Sequence, residues 1–190
     1  MNEDILDGDF KGNDFKEVPI SYASFWHRVA ASLIDGLVMI PIVGILTMNN
    51  TGWKILPIYL LCWAGVTMYK PFMEYNYEAT LGKMALGIKV ISQDMERVSA
   101  RQALERYVPW LPNQFMSLFA MVTLFNTPGF EEANTLNEIA LLQVETGVTE
   151  QSMWMGLLMI ISCIFVAFDS EKRGLHDMMA GTYVIHKNDK

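Results

Sequence analysis

The chain has 190 residues, 52% of them hydrophobic and only 18% charged, where a soluble domain usually carries about 25% charged residues. That depletion argues against a chain that is water-exposed throughout and points to a small set of membrane helices. The net charge of −7 and the pI near 4.9 exclude nucleic acid as a partner.

Residues 1–21 are acidic and polar, with neither a basic start nor an apolar stretch. They read as a disordered cytoplasmic tail and not as a signal peptide. Four apolar segments follow, at about 25–46, 55–75, 107–125 and 152–168, and a short tail occupies 187–190. A crossing helix needs about 20 mostly apolar residues. The first segment meets that length outright, and the others are borderline. Pro109, Pro112, Asn113 and Gln114 interrupt the third, which therefore either spans with a kink or is re-entrant.

Charge placement favours four crossings. Lys83, Lys89, Arg97, Arg101 and Arg106 lie between the second and third segments, and Lys172, Arg173, Lys187 and Lys190 follow the fourth. The stretch 126–151 has five glutamates and no Lys or Arg. Basic residues near helix ends stay in the cytoplasm, so both termini are expected there and 126–151 is expected to be an extracytoplasmic acidic loop. The fold expected is an all-α polytopic membrane protein, with an interfacial segment between the second and third helices. The competing fold is a soluble bundle, which would have to hide four long apolar segments.

The stretch 76–106 is more than a linker. "LGKMALGIKVI" mixes apolar and basic residues as an interfacial segment does, and its lysines can reach anionic headgroups. "IKVIS" reads as a strand before a turn. Ser99 with Gln102 forms a capping-box pattern that starts a helix at "ARQALER".

The charges inside apolar runs are the candidate site residues. Arg28 and Asp35 are seven positions apart, so they share one helix face roughly 10 Å apart along the axis. Arg28 lies near the segment end and can snorkel to the interface. Asp35 sits deeper, where an ionised carboxylate costs about 3 kcal/mol. It is either paired, with Lys70 the natural partner, or it is an ion or proton site. Lys70 and Glu74 are spaced i, i+4, as are Asp169 and Arg173. His176 and Asp177 form a polar pair between apolar residues, in a C-terminal stretch expected to fold back on the interface. Cys62 and Cys163 each sit in an apolar run and read as buried small hydrophobes. Neither metal-ligand spacing nor a nucleophile motif nor a phosphate loop is present, so no enzyme activity and no cofactor is expected.

"FWHRVAASLIDG", "EATLGKMALGIKVI" and "RGLHDMMAGTYVI" together resemble the RDD family of bacterial inner-membrane proteins, named for one arginine and two aspartates. Arg28, Asp35 and Asp177 stand at those positions, with Thr80, Gly82, Lys83 and Gly87 in register with the middle motif. The resemblance spans about 22–186. The long acidic stretch 126–151 is a departure, and Met84 stands where a basic residue is expected. The resemblance implies a multi-pass protein of the bacterial inner (plasma) membrane, and cation–proton antiport is attributed to some members. Two functions follow as expectations. One is a small secondary transporter that exchanges a monovalent cation for protons at Asp35, with Arg28 and Asp177 as neighbours and Lys70, Glu74, Thr80, Lys83 and His176 in support. The other is a non-transporting accessory or assembly factor in which the same residues form a structural network. Either is expected to work in the lipid bilayer as a homo-oligomer or beside a membrane-protein partner.

Overall fold

The computed structural model describes residues 20–145, 166 and 169–187. The expected crossing at 152–168 and Cys163 lie outside them, apart from Val166, as do the extreme tails. The described chain is mainly helical. Helix α1 runs Phe25–Met48 and carries Pro41 without breaking. It passes into a π-turn at Asn49–Trp53, closed by Lys54 in the left-handed region and by the Asn49 side chain, which accepts from the Ile55 N–H at 3.1 Å. The stretch Phe25–Trp53 is 29 residues long, and its best window has a mean hydropathy of 2.3 and is only 6% buried. Among the described residues this is the one helix long and apolar enough to cross a membrane. Leu33, Leu37, Ile40 and Val43 point outward from it, a face suited to lipid and not to water.

Helix α2 covers Leu56–Tyr77, with Pro57 in its first turn, where a missing N–H costs nothing. Pro71 lies inside α2, and the helix continues through it. Glu78, at φ 60°, ends the helix, and Thr80 caps the five-residue helix α3, Leu81–Ala85. Strand β1 is Ile88–Ser92, at the stretch that reads as a strand. The Ser99–Gln102 capping box is complete and starts α4, Ala100–Tyr107. A 3₁₀ turn, Val108–Trp110, leads into α5, Leu111–Phe125. Pro109 and Pro112 therefore fall in the first turns of successive helical pieces, where proline is tolerated.

The structure departs from the expected layout in two places, with a helix inside the expected loop and a two-stranded sheet in an otherwise helical fold. The acidic stretch contains a helix, α6, Leu136–Glu145. It is capped where the Glu138 carboxylate accepts from the N–H groups of Asn134 and Thr135, at 2.8 and 3.1 Å. The C-terminal stretch forms α7, Leu175–Met179, and strand β2, Thr182–His186, which pairs antiparallel with β1 in the register Ile88↔His186 to Ser92↔Thr182. Tyr22 bridges to Ile185 on the free edge of β2.

Two apolar clusters hold the two ends of α1. Near its start, Ala23, Ala31, Ile88, Val90, Val98, Ala103 and Val184 join the sheet to α1 and α4. At its far end, Leu46 packs with Tyr59, Met121, Leu124, Phe130 and Ile139. Lys54 reaches across there to the Asn134 side chain, 3.2 Å away. The candidate charges all belong to the first end.

Candidate functional site

Asp177 is the third residue of α7 and is completely buried. Its Oδ2 accepts from Arg28 Nη1 and from the Gly174 N–H at 3.0 Å. Its Oδ1 accepts from Arg106 Nη1 and lies 3.2 Å from His176 Nε2. The start of α1 is thereby locked to α7, and Arg28 Nη2 also donates to the Lys172 carbonyl.

Arg106 is the centre of the arrangement. It is 1% exposed and donates from Nε to Glu74 Oε2 at 2.8 Å while Nη1 serves Asp177 and the Thr182 hydroxyl. Glu74 Oε1 takes the Lys83 ammonium at 2.6 Å. One continuous chain of contacts, Lys83–Glu74–Arg106–Asp177–Arg28, therefore links α3, α2, α4, α7 and α1. The guanidinium can serve two carboxylates because its donors form a rigid planar fork.

Asp35 stands apart from that chain. Its Oδ1 accepts from the Tyr69 hydroxyl at 2.9 Å and the Gly82 N–H at 2.7 Å, and its Oδ2 accepts from the Thr80 hydroxyl at 2.6 Å. All three donors are neutral, and they come from α2, the Thr80 cap of α3, and α3 itself. The fit is tight: a Cβ on Gly82 would lie 2.0 Å from the Ala31 carbonyl oxygen and 2.9 Å from the Asp35 carboxyl carbon. Glycine is required here because two backbones nearly touch.

The expected partners are partly rearranged. Glu74 pairs with Lys83 and Arg106, and its expected partner Lys70 stacks its ammonium 4.6 Å over the Trp110 ring. Asp169 does hold Arg173, through the Arg173 backbone N–H and Nε. His176 faces Asp177 although the two are sequence neighbours, because the first turn of α7 folds both inward. Arg106 is the residue that charge counting assigns only to a cytoplasmic loop. Its one sequence signal is its place beside Ala103 and Tyr107 on the buried face of a short, strongly amphipathic helix. Cys62 is a free thiol. Among the described residues no group of His, Cys, Asp and Glu is arranged to hold a metal.

Electrostatics follow from burial and pairing. Burial alone would raise the Asp177 carboxyl, but Arg106, His176 and Arg28 outweigh it and hold the group well below the usual carboxylate range. Burial pushes the His176 imidazole down to about 3, against the raising pull of Asp177, so the ring is neutral at physiological pH. Both groups bind protons more readily in the unfolded chain than in the folded one. Stability is therefore complete above the ordinary histidine pKa of about 6.5 and falls as the pH drops from there toward 3, by about 1 kcal/mol per pH unit from His176. Asp177 adds to the loss below about pH 4. Melting curves of detergent-solubilised protein between pH 8 and pH 4 should show this decline, and His176→Phe should flatten it above pH 4.

The RDD family model matches residues 22–181, the region that contains Arg28, Asp35 and Asp177. The chain belongs to the RDD family. The uncharacterized protein YxaI of Bacillus subtilis (strain 168) is 24% identical over 190 residues, covering 87% of this chain and 97% of the relative. No solved structure matches. Membership in this family, together with the outward-facing apolar helix α1, identifies an RDD membrane protein. In it Arg28 and Asp177 meet directly, while Asp35 secures a different joint.

Proposed function

We propose that this RDD protein is a non-transporting membrane accessory or assembly factor, with four crossings and both termini in the cytoplasm. Its Arg28, Asp35 and Asp177 hold the cytoplasmic end of the bundle together. The positions of the basic residues support the topology. The observation that carries the functional reading is the set of donors on Asp35. Three of its roughly four lone-pair directions are occupied by neutral groups from neighbouring elements. An exchanging carboxylate would have to release them in every cycle, and releasing them would free α3 from α1. The acidic stretch, over its described residues 126–145, supplies a charged docking surface for a second copy or another membrane protein.

Cation–proton exchange is the second reading, favoured by one feature. A cavity of about 230 Å³ reaches Asp35 between Ser32, Tyr69 and Thr80. Lys70 and Lys83 line the same cavity and repel a cation entering it. Asp35→Asn discriminates between the two. An amide cannot accept from all three donors, so the structural role predicts a loss of about 2 kcal/mol. It should appear as a lower melting temperature and less protein recovered from membranes. A variant that is as stable as wild type would refute that role.

A further inference from the structure

A second cavity, of about 310 Å³, lies beside the ion-pair chain between α1, α2, Trp110 and α7. Arg28, Lys70 and Lys83 line it, and no carboxylate does among its described lining residues. The adjoining chain contains three cations (Arg28, Lys83 and Arg106) for two carboxylates (Glu74 and Asp177). Among the described residues it therefore carries a formal surplus of one positive charge in a region of low dielectric, where an uncompensated charge is costly. Two further polar atoms of its lining residues are buried without a partner among the described residues: Trp110 Nε1 and His176 Nδ1. The Asp177 carboxylate beside Nε2 favours the ring proton there, which leaves Nδ1 an acceptor in need of a hydroxyl. The remaining wall is mostly apolar, formed by Phe25, Val29 and Leu33 of α1 with Val166, and Ser32 adds one hydroxyl. Leu33 is also 67% exposed on the outward face of that helix, which places one edge of the cavity beside the surface suited to lipid.

We propose that this cavity binds the headgroup of an anionic phospholipid whose phosphodiester carries a hydroxyl-bearing headgroup. The phosphate oxygens accept from the Lys70 ammonium and the Trp110 N–H and neutralise the surplus charge of the chain at Arg28 and Lys83. The headgroup hydroxyl donates to His176 Nδ1, and an acyl chain leaves past Leu33 along α1. A cation-lined cavity at the first turns of α1 lies at headgroup depth if α1 crosses the bilayer, and a lysine–arginine pocket of this kind recognises acidic lipids. The inference stands independently of whether Asp35 exchanges ions.

Native mass spectrometry of the full-length protein in a neutral detergent, with phosphatidylglycerol or phosphatidylcholine of matched chains, tests the site. One phosphatidylglycerol should be retained at least about tenfold more tightly than phosphatidylcholine. Lys70→Gln should reduce that retention about tenfold, the loss expected for one charge-assisted hydrogen bond. Trp110→Phe keeps an aromatic ring beneath Lys70 but removes the N–H together with part of the indole, and should weaken retention several-fold with the helical circular dichroism unchanged. It keeps the test decisive if Lys70→Gln fails to fold. Equal retention of the two lipids, or phosphatidylglycerol retention unaffected by Trp110→Phe, overturns the proposal. Displacement of phosphatidylglycerol by equimolar inorganic phosphate would reassign the cavity to a small soluble anion and overturn the lipid assignment.

Discussion

Arg106→Met is expected to leave little folded protein in the membrane. The guanidinium is buried with Glu74 on one side and Asp177 on the other. Methionine approximates the volume of the side chain but supplies no donor. Glu74 keeps only Lys83, and Asp177 keeps Arg28. Removing one member of a buried ion pair costs about 3–5 kcal/mol, because the charge left behind has lost both its water and its partner. For a chain of this size that lowers the melting temperature by roughly 10 °C or more. Arg106→Lys should fall between the two, since an ammonium is a point donor that cannot span both carboxylates and the Thr182 hydroxyl. Arg28→Lys should be milder than either, because Arg28 lies at the helix start with its side chain 13% exposed. The measurement is recovery and melting of detergent-solubilised protein for the three variants. An Arg106→Met protein that melts within about 2 °C of wild type would show that the chain of ion pairs contributes little.

Gly82→Ala should be nearly as damaging although it adds a single methyl group. Its Cβ would sit 2.0 Å from the Ala31 carbonyl oxygen, which belongs to a helix backbone and cannot rotate away. Helix α3 must then lift off α1. The Gly82 N–H and the Thr80 hydroxyl withdraw from Asp35, leaving that carboxylate in an apolar helix with Tyr69 as its remaining donor. Overpacking alone costs about 1–3 kcal/mol, and the lost hydrogen bonds to a charged group add about 2 kcal/mol or more. Gly36→Ala and Gly44→Ala in α1 are the controls. A Cβ at either position meets nothing within 4 Å, and alanine is the better helix former. Both should be neutral or slightly stabilising, with Gly82→Ala clearly below them on the same melting assay. Equal melting of all three would mean that α3 is not seated on α1 as described.

Arg28, Asp35 and Asp177 were conspicuous because a charge among apolar residues is costly wherever it lies. The Ser99–Gln102 cap and the Asp169–Arg173 pair were also legible, since each is a contact within one turn of chain. Arg106 was not. A basic residue in a loop between membrane segments is fully accounted for by topology, and only the folded chain brings it to Glu74 and Asp177, 32 and 71 positions away. The i, i+4 spacing of Lys70 and Glu74 suggested a local pair, but Glu74 is satisfied by two stronger partners from other elements. Strand β2 escaped for a related reason. Five residues, "TYVIH", carry too little pattern to stand alone, and their partner strand lies far back in the chain. What the sequence leaves out is in each case a long-range pairing.

Arg28, Asp35 and Asp177 divide between two structural joints. Arg28 and Asp177 join the two ends of the chain through a network that Arg106 completes. Asp35 holds α3 and its cap against α1 and keeps the middle motif, Thr80, Gly82 and Lys83, at the same end of the bundle. None of these roles requires an ion to move. Proton flux in proteoliposomes of purified wild-type protein, driven in turn by gradients of Na+, K+ and Li+, tests this directly. The structural account predicts no movement above protein-free liposomes for any of the three cations. Cation-driven proton movement that disappears in an Asp35→Asn variant of unchanged melting temperature would contradict it.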